Sequence, residues 1–357
     1  MTPDLGPGAD AVSAVDDSVL VAPAGPASAS ADPADATGGG STTHGHSRSD
    51  ACSVLSEQAG ISAFGSASEA RFWLAVEQSG PWGRDALSQS HLDATLGTAL
   101  SRACQDAGGR LLLIRRPGQH ADAHHPTSRR VLVAGGLAGP AWLLTGDVPD
   151  AAQLLGLPFD ALASGNPGPA LAALPALSRS DEPALLVCTN ARRDVCCAVR
   201  GRPVALEAAA ARPGQVWECS HTGGHRFAPT AVLLPHGQTW ARLTPGLAVD
   251  ALDAAAGDRV PASLLGPMHD RGRSALSPPA QAAESFVRHR IGEVDLTALC
   301  ATAAPAGIEA DRWSCTVTHR DGRSWEVLAT RASGHGERPD SCGKAPVPTL
   351  QWDCTPA

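Results

Sequence analysis

The sequence predicts an α/β protein in which a β-α-β-β-β-α order of elements occurs twice, with a low-complexity segment before it and a small α+β region after it. Three observations point there. Apolar runs of strand length alternate with stretches of helical spacing. Short matches recur at equivalent places in the two halves, Arg-Asp beyond a strand in VEQSGPWGRD (76–85) and VCTNARRD (187–194), and Gly-x-x-Trp in GPAWLLTG (139–146) and GQTWARLT (237–244). The chain has 357 residues and 43% hydrophobic content, enough for more than one core.

Residues 1–50 are dominated by Ala, Gly, Pro, Ser, Thr and Asp and offer few large side chains, the composition of a disordered tail. His44 and His46 in that tail read as solvated rather than metal-bound. The first half, 51–180, opens with strand RFWLAVE (71–77), then GPWG (80–83) and a helix over about 89–106 with Leu92, Leu96 and Ala99 at helical spacing. Strands RLLLIR (110–115), RRVLVAG (129–135) and PAWLLTG (140–146) follow, and a short helix near 148–155 closes the unit. A parallel pair in this order needs the helical crossover.

The second half, 183–258, has strand ALLV (184–187), a helix over about 203–211, a short strand at 216–218, strands AVLLP (231–235) and TWARL (239–243), and a helix over 246–256. Region 262–357 carries a helix near 279–291 and the hairpin WSCTVTHRDGRSWEVLAT, where Asp321-Gly322 suits the left-handed turn. Cys300, Cys315, Cys342 and Cys354 in this region are too irregularly spaced for a ligand motif and read as buried thiols.

Charge and length exclude several function classes. The formal net charge is −8, most of it in the first fifty residues, which hold seven Asp and one Arg. No basic tract exists to grip a phosphate backbone, so no nucleic-acid partner is expected. No apolar run reaches the ~18 residues needed to span a bilayer, and the N-terminus lacks a secretory pattern, so a cytoplasmic protein without membrane contact is expected. In such a chain ten cysteines point to reduced thiols or metal ligands rather than disulfides.

Two close pairs of donors carry the chemistry: Cys188 and Cys197 in CTNARRDVCCAVRG, and His221 and His225 in WECSHTGGHRFAP. Gly223 and Gly224 let two imidazoles converge without crowding and let backbone N–H groups approach an anion. Two thiolates and two imidazoles suit a tetrahedral zinc ion or a [2Fe-2S] cluster, and spacing does not choose between them.

The chain resembles the sucrase/ferredoxin-like family over roughly 52–258. The resemblance is carried by C-T-x-x-x-R-D-x-C-C-x-x-x-G at Cys188–Gly201, H-T-G-G-H-R-F-A-P at His221–Pro229 and WLAVEQSGPWG at 73–83. It implies two thioredoxin-like units in tandem, the second being a [2Fe-2S] ferredoxin domain with Cys188, Cys197, His221 and His225 as ligands and Cys196 as the second-choice thiolate. On that reading the chain is a one-electron carrier rather than a stand-alone enzyme, served by a separate redox protein or reductase. The mixed ligand set is neutral when oxidised, so its potential should exceed that of an all-cysteine cluster, and histidine ligation can couple electron and proton transfer. Arg192, Arg193 and Arg226 would lie near that charge, while Phe227, Trp217 and Trp240 would build the core. No carboxyl pair supports the sugar hydrolysis that the family's name evokes. The alternatives are a structural-zinc interaction protein and a thiol-disulfide oxidoreductase using Cys196 and Cys197.

Overall fold

A row of strands whose side chains alternate between two buried faces sets the frame of the molecule. The computed structural model describes residues 51–119, 127–307 and 311–357, all within one compact unit, His46–Ala357; the predicted tail with His44 and His46 lies outside the described residues. Helix α1 (Cys52–Gln58) comes first, then β1 (Trp73–Glu77), α2 (Ala86–Gln89), α3 (Ala94–Asp106), β2 (Arg110–Arg115), β3 (Arg129–Gly135) and β4 (Trp142–Val148). Short helices α4 (Phe159–Ala163) and α5 (Gly168–Ala173) and strand β5 (Leu177–Ser180) lead into β6 (Ala184–Cys188), α6 (Val195–Ala211) and β7 (Val216–Cys219). Strands β8 (Ala231–Leu234) and β9 (Gln238–Trp240), helix α7 (Pro245–Ala255) and strand β10 (Asp270–Arg273) follow.

The two halves repeat one pairing scheme. β1 pairs parallel with β2 and antiparallel with β3, which pairs with β4; β6 pairs parallel with β7 and antiparallel with β8, which pairs with β9. Each parallel pair is joined through helices, as the topology requires. The expected two thioredoxin-like units in tandem are nevertheless corrected. β2 and β7 pair antiparallel at Ile114–Cys219 and Arg115–Glu218, so one mixed ten-stranded sheet runs β10-β9-β8-β6-β7-β2-β1-β3-β4-β5 through both halves. The physical reason is edge pairing: each half would otherwise leave the backbone of β2 or β7 unsatisfied, and each satisfies the other.

Alternation assigns the cores. Leu74 and Val76 face a cluster with Leu113, Val133 and Leu100 of α3, while Trp73 and Ala75 face one that crosses the seam to Leu186, Trp217 and Val232. Leu185, Val187 and Leu233 pack under Val204, Ala205 and Ala208 of α6 and Ala251 and Leu252 of α7. Phe227, Trp217 and Trp240 are buried, as core residues should be.

Helix α8 (Pro278–Ile291) covers a second sheet of order β11-β12-β13-β16, made of β11 (Leu299–Pro305), β12 (Arg312–His319), β13 (Ser324–Ala332) and β16 (Gln351–Pro356). β12 and β13 form the predicted hairpin, with Gly322 at φ +94°. The ribbon β14 (Glu337–Arg338) with β15 (Val347–Pro348) frames the loop that carries Cys342.

Two helices depart from expectation. The helix over 89–106 is two helices, because Asp85 caps α2 through the Leu87 N–H and Asp93 caps α3 through the Leu96 N–H. The helix over 203–211 begins eight residues earlier, at Val195, with Pro203 inside it. Among the described residues no helix is long and apolar enough to cross a membrane.

Candidate metal centre

The first turn of α6 organises the site. Asp194 is its N-cap, and Oδ1 accepts the Cys196 N–H at 2.9 Å. Its other oxygen, Oδ2, accepts the Ser341 hydroxyl at 2.8 Å and the Cys342 N–H at 2.9 Å, which brings the β14–β15 loop onto the helix start. From the opposite end of the chain, α1 is drawn in by Arg200, whose guanidinium donates to Glu57 Oε2 at 2.6 Å and to the Ser53 hydroxyl at 3.1 Å. Arg242 fixes the exit of α1 by donating to the Ile61 carbonyl at 2.8 Å.

These contacts place three thiols and a carboxylate around one point. Cys52 Sγ lies 3.5 Å from Cys196 Sγ, 3.6 Å from Cys342 Sγ and 3.8 Å from Asp194 Oδ2. Cys196 and Cys342 sulfurs are 2.9 Å apart. The four donors all lie within 4.8 Å of one another, with Cys52, Asp194 and Cys196 buried and Cys342 partly so. Zinc–sulfur bonds of about 2.3 Å in a tetrahedron give sulfur–sulfur edges of about 3.8 Å, so the two sulfur–sulfur edges at Cys52 fit an ion at the centre and the Cys196–Cys342 edge would have to open to hold one.

The protonation pattern matches a ligand set in waiting. Hydrogen bonding from Cys52, then from Cys342 and Ser53, outweighs burial and lowers the Cys196 pKa to about 6. Cys52 is held well above its ordinary value, chiefly by that same bond to Cys196 and by burial. Burial and Cys196 push Cys342 up to about 11. Burial favours a neutral Asp194, but the Cys342 amide, the Ser341 hydroxyl and the Cys196 amide outweigh it and keep the carboxyl below its usual range. One thiolate and one carboxylate thus stand ready, and a bound cation would displace the protons of the other two thiols.

The residues singled out in the sequence converge beside this centre. Cys188 ends β6, Cys197 sits one position past Cys196 in α6, and both belong to the buried cluster with Trp217 and Cys219. Successive helical positions rotate by about 100°, which turns Cys197 toward Cys188 and Cys196 toward Cys52. The bond from Cys197, followed by His221 and the Thr222 amide, outweighs burial and holds the Cys188 thiol well below its ordinary value, while Cys197 is raised in turn. The rings of His221 and His225 lie 5.2 Å apart, and the buried Nδ1 atoms of both have no hydrogen-bond partner. Arg271 closes this loop from behind by donating to the Gly223 carbonyl at 3.1 Å, over Gly224 at φ +72°.

This arrangement corrects the cofactor expectation. Among the described residues, the donor group that closes around one point is Cys52, Asp194, Cys196 and Cys342; it takes Cys196 instead of Cys197 and contains no histidine. Three thiols and a carboxylate are not the ligand set of a two-cysteine, two-histidine [2Fe-2S] cluster, and they match a zinc site. The iron-sulfur electron carrier and the ferredoxin-like, thioredoxin-like character expected with it are set aside on the same finding and on the continuous sheet. Cys196 and Cys197, the pair named in the oxidoreductase alternative, lie in different clusters.

Cys52 and Cys342 were invisible as ligands in the sequence. They lie 144 and 146 residues from Cys196 and 290 from each other, so no local spacing marks them. The one usable signal was the Cys196–Cys197 doublet, which on a helix must serve two sites.

No curated protein and no solved structure matches the chain. The sucrase/ferredoxin-like family model matches residues 63–255, which takes in both halves of the sheet from before β1 to the end of α7. Covering more than half of the sequence, that match shows that this chain belongs to the sucrase/ferredoxin-like family.

Proposed function

We propose that the chain is a structural-zinc interaction protein, in which Cys52, Asp194, Cys196 and Cys342 hold one ion that ties α1 and the C-terminal region to α6. The observation that carries this reading is the meeting of four donors from three remote segments within 4.8 Å. A set that fills all four tetrahedral positions from the protein leaves no open position for a substrate, the arrangement of structural rather than catalytic zinc. Ties across long loops restrict the unfolded chain most, and these span 142 to 290 residues. Binding, not turnover, is the function such a brace serves: it holds the surface of the ten-stranded sheet in one shape.

The reading extends to Cys188, Cys197, His221 and His225 as ligands of a second metal centre. Its support is the pair of buried, unpartnered Nδ1 atoms beside two thiols, Cys188 and Cys197, of one buried cluster. Thermal unfolding with and without chelator tests the brace. Chelation should lower the melting temperature of the native chain by more than that of Cys342→Ser, which lacks the brace and keeps only the second centre; an equal response in both would contradict the assignment.

A further inference from the structure

Beside His221, on the seam of the two halves, lies a cleft of about 760 Å³ that the metal centre does not use. Its walls come from the segment before β1, from α2 and α3, from the start of β2, and from the loops after β6, β7 and β10. Asn190 closes one end by donating to the Gly83 carbonyl at 3.2 Å.

Four guanidiniums line this cleft, Arg71, Arg84, Arg110 and Arg193, in a chain whose net charge is −8. None of the four side chains makes an ion pair or hydrogen bond among the described residues. The cleft's carboxylates do not neutralise them: Asp85 is committed to the Leu87 N–H and the Ser88 hydroxyl, and Glu69 stands alone against four positive groups. Arg110 is the most telling, because burial works against its charge and its only contact of note is the Trp73 ring face at 5.8 Å. A partly desolvated guanidinium without a counter-charge is costly, and clustered guanidiniums match phosphate and carboxylate oxygens in bidentate geometry.

We propose that this cleft binds a small polyanion with clustered phosphate or carboxylate oxygens, held by Arg71, Arg84, Arg110 and Arg193. The concave volume lies in the range of about 300–1,000 Å³ typical of small-molecule sites, which favours a metabolite over an extended acidic surface. The anion would rest against Ser220 and the exposed edge of His221, next to the second donor set.

Titration calorimetry of the full chain with pyrophosphate and, separately, with citrate tests the proposal and tells the two oxyanion sources apart. Saturable binding of one equivalent of at least one probe is expected. The double variant Arg84→Gln/Arg193→Gln should weaken it by about tenfold or more per guanidinium removed, the loss of a charge-assisted hydrogen bond. Arg202→Gln, an exposed arginine of α6 outside the cleft, should leave it unchanged. Absence of saturable binding by both probes, unchanged affinity in the double variant, or an equal loss in Arg202→Gln would overturn it. Metal content measured on the same samples separates this outcome from failure of the zinc reading.

Discussion

Arg115 and Glu218 face each other across the seam that joins the two halves. They are register partners on β2 and β7, both buried, and the guanidinium contacts Glu218 Oε2 through Nε at 2.8 Å and Nη2 at 2.5 Å. The same carboxylate oxygen accepts the Thr189 hydroxyl at 2.9 Å, and the Trp82 ring lies 4.4 Å beneath the guanidinium. The pair therefore fixes where one half meets the other.

Breaking that pair from one side strands a buried charge. Arg115→Met should destabilise the chain by about 3–5 kcal/mol, and adding Glu218→Leu should recover most of the loss because no charge is then left unpaired. Urea unfolding of the single and double variants measures both values. Additive losses would mean that the pair does not act as a unit.

Gly201 should reverse the usual helix rule. Replacing a helical glycine by alanine ordinarily stabilises by about 1 kcal/mol. Here the new Cβ would meet the Cys188 carbonyl oxygen at 2.5 Å, so Gly201→Ala should instead destabilise by about 1–3 kcal/mol through overpacking. Thermal unfolding reads the sign directly.

Asp194 has two separable roles. Asp194→Ala removes the cap of α6 and should cost about 1–2 kcal/mol even in chelator. Asp194→Asn keeps an oxygen for the Cys196 N–H but turns an amide NH2 toward the Cys342 N–H and loses the negative ligand, so metal affinity should fall while the cap of α6 is kept and the stability loss in chelator is that of the Cys342 contact alone. Competition with a chromophoric chelator, paired with unfolding curves, separates the two effects.

Glu284 predicts an acid-sensitive fold. Burial opposes its charge, but Arg273, bonded at 2.5 and 2.8 Å, and Arg288 outweigh burial and lower its pKa from the ordinary 4.5. A carboxyl depressed in the folded state contributes stability above its unfolded pKa and loses it as pH falls through the folded one. Glu284→Gln should therefore flatten the stability profile below about pH 4.5 while costing about 3–5 kcal/mol at pH 7, because two buried guanidiniums lose their counter-charge. Unfolding measured from pH 2 to 7 checks both.

Much of the fold was legible because local signals carried it. The β-α-β-β-β order, the Asp321-Gly322 hairpin and the buried tryptophans all follow from spacing and turn chemistry. The joining of β2 to β7 was not legible, since edge pairing between residues 103 positions apart, such as Arg115 and Glu218, leaves no mark in either run. Helix α6 was expected to start at 203 rather than at Val195, and that hid Cys196 and Cys197 in a first helical turn. Once those two are on a helix they must diverge, and the site reading that kept one and set the other aside could not hold. Cys52 and Cys342 join Cys196 through contacts of Arg200, Ser341 and Asp194, which exist only in the folded molecule.

Elemental and acid-labile sulfide analysis of anaerobically purified full-length protein tests the central claim most directly. Zinc without sulfide is predicted, with about one equivalent per chain lost in Cys342→Ser. Iron and sulfide in equal amounts, with metal content indifferent to Cys342→Ser, would contradict it.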